Sequence, residues 1–181
     1  MARKKATKSV KPDRTYYVFF EADDPTLNSV ADYELGSYPM DLHWCGKRIR
    51  SIPKDLTIEL DEGDRSDLLG NPLGMLIVSA RLKNKIARRC GSTVQFLPLP
   101  MRRKGKVVNG YFLANPLGRI KALKGRTQNI QQLKLHNDRI PPDRHLFVLE
   151  ADAPIYIISD VLFNDLRGKG LKGLAALEIL K

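Results

Sequence analysis

The stretch MLIVSARLKN, residues 75–84, and the stretch IYIISDVLFN, residues 155–164, carry one pattern eighty residues apart. Each starts with a short apolar run, passes through a serine and continues with apolar residues at helical spacing. The serine hydroxyl can accept a hydrogen bond from a free N–H of the first helical turn, so each serine is a predicted helix N-cap. Because glycine and a second apolar run follow in both, we predict a repeated strand–helix–strand unit over residues 75–99 and 155–180.

The rest of the chain predicts further short strands. They are expected at residues 15–21, 41–45, 56–60 (as an edge strand), 93–99, 107–114, 130–135 and 146–149, with loop over 22–40 and a short acidic helix within 61–69. Strands this short, combined with two short helices, are typical of an α+β fold rather than a doubly wound sheet. We therefore expect a single compact α+β domain of mostly antiparallel strands over residues 15–181.

Composition separates one segment from this domain. With 181 residues, 43% of them apolar, the chain can bury roughly 70% of its extended surface. Residues 1–14 hold six basic residues and one acid, with few apolar side chains to bury, which predicts a disordered basic tail.

The chain shows neither a signal-peptide core nor a run of roughly 20 apolar residues, and its two cysteines do not make a disulfide framework. We expect a cytoplasmic protein that does not enter a membrane.

The net charge of +11 is unevenly distributed along the chain. Residues 15–70 carry a net charge of −7, whereas residues 71–134 carry +14 and contain no acid. Such polarity is suited to attraction between the two parts of the domain and to steering a charged partner.

The segment from Gly168 to Gly173 is a literal G-x-G-x-x-G. A dinucleotide fingerprint requires this motif after a strand and at the start of a helix, where the pyrophosphate meets the helix N-terminus. Here it follows the predicted helix and precedes the predicted strand. We interpret it as a helix C-cap turn and predict no cofactor.

Asp41, His43 and Cys45 are spaced by two, so on a strand they would share one face, and the imidazole could activate the thiol. The simpler interpretation is half-buried strand residues, because the triple brings no oxyanion donor or substrate-binding partner. Cys90 ends a predicted helix, which disfavours a thiolate. No zinc-type spacing occurs among the histidines and cysteines His43, Cys45, Cys90, His136 and His145. We predict no catalytic residue and no metal site.

Three basic segments support an alternative, a nucleic-acid-binding module. They cover residues 81–89, 102–106 and 119–126, and Tyr111 and Phe112 are interleaved with them. Lysine and arginine release counterions from phosphates, and aromatic rings stack on bases. The two aromatic residues fit a half-buried strand equally well, and no helix-turn-helix, zinc finger or RNP motif is present.

In order, the chain carries these motifs: WCGK (44–47), LIVSARL (76–82), VQFLPL (94–99), GYFLAN (110–115), LFVL (146–149) and IISDVL (157–162). This order resembles an α/β family of bacterial immunity proteins from polymorphic toxin systems, formerly catalogued as a domain of unknown function. The resemblance extends from residue 15 almost to the end. It implies a non-enzymatic role, in which the protein binds and neutralises a cognate toxin encoded beside it. It implies no catalytic residues, and it does not account for the long basic stretch.

The expected docking surface is the basic hairpin Arg102, Arg103, Lys104 and Lys106, whose cations would project from a turn between strands 93–99 and 107–114. The competing surface is the acidic segment 61–67, which would suit a toxin built to bind nucleic acid. A third interpretation is that both segments only keep the protein in solution.

Overall fold

The computed structural model describes residues 14–38, 46–125, 129–151 and 153–180. Within them the fold is α+β, with two α-helices, α1 (Ala80–Cys90) and α2 (Asp160–Leu166). The strands are β1 (Tyr16–Glu21), β2 (Val30–Glu34), β3 (Thr57–Leu60), β4 (Leu68–Leu69), β5 (Ile77–Ser79), β6 (Val94–Pro98), β7 (Met101–Arg103), β8 (Lys106–Val108), β9 (Tyr111–Pro116), β10 (Arg119–Ile120), β11 (Leu146–Leu149), β12 (Tyr156–Ser159) and β13 (Leu174–Glu178). Single turns of 3-10 helix occupy Gly91–Thr93, Ile130–Gln132 and Asn137–Arg139.

The strands form three sheets. Their orders are β10-β11-β12-β1-β13, β2-β3-β7-β8 and β4-β5-β9-β6. The pairings are antiparallel except those of β3 with β7 and of β10 with β11. In the first sheet β12 and β13 flank β1, and in the third β5 and β6 flank β9. The mostly antiparallel character that the sequence predicts is therefore present.

Both helices begin at the predicted serines. The Ser79 hydroxyl accepts from the Leu82 N–H at 3.2 Å, and the Ser159 hydroxyl accepts from the Leu162 N–H at 3.3 Å. Each hydroxyl satisfies one of the donors that a helix leaves free at its N-terminus. At the other end of α1, Gly91 adopts a φ of +53° and its N–H donates to the Ala87 carbonyl.

The two helices share one apolar cluster with the sheets. Leu82 and Ile86 of α1 are fully buried there with Leu162 of α2, and strand residues such as Val78 and Ile158 complete the contacts. Burying one such aliphatic side chain contributes about 1.5–3 kcal/mol. A second cluster lies under the sheet β2-β3-β7-β8, which leaves the opposite face of that sheet to solvent.

Several strand predictions were wrong. The region predicted as loop contains β2, and β3 is an interior strand rather than an edge, because β2 and β7 flank it. The segment 61–69 forms β4 and no helix. Its first carboxylate, Asp61, accepts from the N–H and the hydroxyl of Ser29, both at 2.6 Å, and these bonds hold the segment against a neighbouring loop.

In the basic half of the chain, the hairpin and two of the predicted strands differ from the expectation. The predicted strand 107–114 is divided at Gly110, where φ is +89°, into β8 and β9, which belong to different sheets. The hairpin is therefore built from β7 and β8 and does not join strands 93–99 and 107–114. The predicted strand 130–135 is a 3-10 turn followed by an isolated bridge at Leu135.

Two predicted segments fall outside the described residues, namely 1–13 of the basic tail and the strand 41–45. Arg14, the last residue of the predicted tail, donates to the Pro142 carbonyl and so contacts the folded part. Among the described helices, none combines the length and apolar character needed to cross a bilayer.

Candidate protein-docking surface

The basic hairpin is closed by a two-residue turn of left-handed residues. Lys104 has a φ of +50° and Gly105 a φ of +72°. Positive φ at both central positions is the type I′ turn, whose twist matches that of paired strands. Such turns prefer asparagine followed by glycine, and a lysine at the first position is strained. Lys104 is the one non-glycine residue with positive φ in the described ranges. A strained cation at a hairpin tip supports a functional hypothesis for the hairpin.

The sheet β2-β3-β7-β8 turns a row of side chains to solvent. Asp32 pairs with Glu59, Glu59 with Arg102, and Arg102 with Val107, so these four positions cross the sheet on its outer face. Asp32 and Arg102 are exposed, and Val107 is 70% exposed. We call these four residues the outer row. Of these four, only Arg102 was a predicted docking residue. The alternation in β3 indicates an outward Glu59, but pairing partners are not encoded locally.

The hairpin contacts the acidic segment that was expected to compete with it. The Lys104 ammonium forms an ion pair with Glu62 of that segment. In the preceding strand β3, Glu59 Oε1 accepts from the Gly105 N–H at 3.2 Å. The hydrogen bond from Lys104 lowers the pKa of Glu62, and the nearby charge of Arg103 acts in the same direction. The two charge poles of the sequence are thus neighbours on one surface rather than separate sites.

The four predicted hairpin cations differ in their surroundings. Arg102, Lys104 and Lys106 are exposed, whereas Arg103 is half-buried. The Arg103 Nε is buried and has no hydrogen-bond partner among the described residues. A partner can therefore reach three of the four cations directly, and Arg103 belongs mainly to the hairpin base.

The remaining carboxylates of the acidic segment 61–67 bind other parts of the protein. Asp64 forms a 2.9 Å ion pair with Lys172. Asp67 is buried, accepts from the Ser79 hydroxyl at 2.5 Å, and accepts from the Lys172 N–H at 2.9 Å. These contacts give the carboxylates structural roles, so the segment 61–67 is not a free acidic loop.

The other basic segments are also partly used within the fold. Arg81 donates to the Gly170 carbonyl at 3.0 Å, and Arg89 pairs with Asp165 at 2.7 Å. The Lys83 ammonium lies 4.1 Å from the centroid of the Phe112 ring. In the segment 119–126, Arg119 donates to the backbone carbonyls of Leu149, the last residue of β11, and of Ala151. A nucleic acid would have to compete with these contacts.

The glycine-rich segment 168–173 lies after α2 and before β13, in the order predicted for a turn. Gly168, Gly170 and Gly173 all have positive φ, between 62° and 77°. Gly173 lies against the chain so closely that a Cβ there would be 2.0 Å from the Ser66 hydroxyl oxygen.

The candidate catalytic residues are only partly placed. Asp41, His43 and Cys45 lie outside the described residues. Cys90 is buried in the apolar cluster beneath α1, and burial raises the pKa of its thiol to about 12. Among the described residues, no group of three histidine, cysteine or acidic side chains could hold a metal ion.

The outer row and the hairpin tip together form one surface that carries charges of both signs and an exposed aliphatic side chain, Val107. It can make complementary ion pairs around an apolar contact, which is how protein interfaces gain specificity. In comparisons with known proteins, no family model matches the chain, and no curated protein matches it either.

Proposed function

We propose that this chain is an immunity protein that binds and neutralises a cognate toxin stoichiometrically and without catalysis. The motif order that resembles the immunity family from polymorphic toxin systems leads to this proposal. The docking surface that we assign to the toxin is the outer row with the exposed cations of the hairpin. In this proposal the protein acts in the cytoplasm, where the toxin would otherwise damage the cell.

The observation that carries the assignment is the direct pairing of Asp32 with Glu59 on an exposed sheet face. Two carboxylates opposite each other on neighbouring strands cost about 0.2–1 kcal/mol. Arg102 on the far side of Glu59 and the Gly105 N–H that donates to Glu59 offset only part of this repulsion. A sheet optimised for stability alone would avoid the arrangement, whereas a toxin cation placed between the carboxylates would relieve it.

The nucleic-acid alternative has less support from the surface. Arg81, Lys83 and Arg89 already contact carbonyls, an aromatic ring and a carboxylate. Binding phosphates would require these contacts to be exchanged. The alternative predicts affinity for generic DNA or RNA that falls steeply with salt, and absence of binding at low salt would remove it.

We also infer that the two strand–helix–strand segments are copies of one structural unit. In support, β5 and β6 flank an antiparallel strand just as β12 and β13 do, and a serine caps the helix in each. In this view the unit builds a rigid frame for the docking surface, and the hairpin is an insertion between β6 and β9.

The test is co-expression of the chain with the product of the neighbouring gene in bacteria. We expect the chain to restore growth and to migrate with that product as one complex in gel filtration. Failure to protect the cells, together with two separate peaks in gel filtration, would contradict the proposal.

A control separates inhibition by binding from catalysis. The double variant Cys45→Ala, His43→Ala should protect cells as well as the unmodified chain does. Loss of protection by this folded variant, with complex formation intact, would instead support the enzymatic alternative.

A further inference from the structure

One edge of the five-stranded sheet has free backbone groups. In the pairing of β1 with β13, the Ile179 N–H donates to the Tyr16 carbonyl at 2.9 Å, and the Ala22 N–H donates to the Gly173 carbonyl at 3.0 Å. In an antiparallel ladder, every second residue directs both its backbone N–H and its C=O toward the partner strand, and the residues between them direct these groups away. The N–H and C=O groups of Leu174, Ala176 and Glu178 therefore point away from β1, and within the described residues no backbone bond reaches them.

The other sheet edges carry features that block further pairing. β2 has two exposed acids and a bulge after Val30, β8 has Lys106, and β6 ends in Pro98. The edge of β6 is also covered, because the Gln95 side chain bonds both the N–H and the carbonyl of Ile49. β4 and β10 are only two residues long. β13 has five residues, LAALE, without lysine, proline or bulge. Its one charge, the exposed Glu178, stands at the last position, so the rest of the strand lacks the usual protection of an edge strand.

An apolar groove of about 330 Å³ runs beside this edge. Its walls include Phe163 of α2, Leu171 of the glycine-rich turn, and Leu174 and Ala176 of β13. A strand added to β13 would direct alternate side chains toward this groove. Backbone pairing and side-chain pockets would thus be available together.

The charge at the groove selects among possible occupants. Arg167 and Lys169 lie on its border. The first thirteen residues of the chain hold five cations and one acid, so like charges oppose their docking here. A ligand strand with carboxylates is favoured instead.

We propose that the free edge of β13 is a docking site for an extended segment of a partner protein that alternates apolar residues and carries carboxylates. The site lies on a different sheet from the outer row. This proposal does not depend on whether the chain neutralises a toxin.

The probe is a fluorescein-labelled synthetic peptide of about nine residues, long enough to span a five-residue strand. Valine alternates with threonine in it, and two glutamates end it. We expect fluorescence anisotropy to give a dissociation constant below about 1 mM with the full chain. A peptide with proline at its centre should not bind, because it cannot complete the ladder.

The decisive variant is Ala176→Pro, matched by Ala176→Val. Proline removes an N–H that points away from β1, so the existing ladder keeps its bonds and the melting temperature should change little. We expect Ala176→Pro to weaken peptide binding by about tenfold or more, and Ala176→Val to change it less than about threefold. Equal affinity of the two variants for the peptide would overturn the proposal.

A charge exchange tests the occupant's chemistry. The variant Arg167→Glu, Lys169→Glu should bind the glutamate peptide less tightly than the unmodified chain does. It should bind a lysine version of the peptide more tightly. If neither affinity changes, the prediction that the occupant carries carboxylates is wrong.

Hydrogen exchange tests whether the edge is free. In the protein alone, the amides of Leu174, Ala176 and Glu178 should exchange quickly and those of Ala175 and Leu177 slowly, and the peptide should slow the first set. Slow exchange of the first set without peptide would overturn the proposal. If that slow exchange depended on protein concentration, the occupant of the edge would be a second copy of the chain.

Discussion

Glu59 lies opposite Arg102 across the parallel pairing of β3 with β7. This single relationship joins the acidic third of the chain to its basic third, and the ion pair of Lys104 with Glu62 extends it to the hairpin tip. Because opposite charges so close together largely cancel at a distance greater than about 10 Å, the surface should act by local complementarity as well as by steering.

The double variant Arg102→Glu, Lys106→Glu reverses the two exposed hairpin cations whose side chains form no hydrogen bond or ion pair within the described residues. We expect association with the proposed cognate toxin to slow by about tenfold at low salt and by less at high salt, because screening removes steering. The matched control is Lys121→Glu, Lys124→Glu, which gives the same net charge on an exposed segment elsewhere. Stopped-flow mixing measures both rates, and equal slowing by the two variants would show that only net charge matters.

Lys104→Asn should separate binding from folding. Asparagine tolerates the left-handed conformation of this turn position, so relief of strain should contribute roughly 1 kcal/mol. The lost ion pair joins two largely exposed side chains and contributes little. We expect urea unfolding to show equal or greater stability while the toxin complex dissociates faster. Reduced stability would mean that the ion pair with Glu62 contributes more to stability than the strain at Lys104 costs.

Asp32→Asn removes one of the two opposed carboxylates and keeps an oxygen that can accept from the Tyr33 N–H, as Asp32 Oδ1 does at 2.8 Å. The free energy of unfolding should rise by about 0.2–1 kcal/mol because the repulsion with Glu59 is gone. Affinity for the toxin should fall, as measured by isothermal titration calorimetry. A variant that gains stability and keeps full affinity would exclude Asp32 from the interface.

Gly173 and Gly168 form a natural comparison. Both have positive φ, but a Cβ at Gly168 would meet nothing within 4 Å, whereas at Gly173 it would lie 2.8 Å from the Leu68 carbonyl oxygen. Gly168→Ala should therefore cost about 1 kcal/mol for the backbone conformation alone. Gly173→Ala should cost about 3 kcal/mol or more, because the segment must move. Chemical denaturation measures both, and similar costs would contradict the close approach.

His145 should make stability depend on pH. Burial lowers the pKa of its imidazole, with Arg14 and Arg89 adding to the effect, and Nδ1 lies 2.8 Å from the Ser159 hydroxyl. The unfolded chain therefore binds this proton at a higher pH than the folded protein does. The stabilising contribution is complete above about pH 6.5, the ordinary histidine pKa, and is lost as the pH falls toward the folded value. Urea midpoints between pH 7.5 and 5.5 should fall less steeply in His145→Gln, and parallel slopes would contradict the assignment.

Local sequence was sufficient for the two helices and their starts. Ser79 and Ser159 precede apolar residues at helical spacing, and the cap is formed within three residues, so no distant contact is needed. The strands β1 and β11 were equally clear, because each is a short apolar run between polar residues. The glycine-rich segment before β13 could be predicted to be a turn because it follows a predicted helix and precedes a predicted strand.

Tertiary structure decided which strands pair and which charges meet. β2 depends on pairing with β3. The dipeptide Asn109-Gly110 is typical of a turn, but only the pairing partners of β8 and β9 place the two halves of this apolar run in different sheets. Glu59 and Arg102 are 43 positions apart, and only the register of β3 with β7 brings them together. Strand pairing joins distant segments through backbone bonds that every residue can make, so local sequence determined the two helices and the clearest strands, and packing determined the remaining strands and the surface that they form.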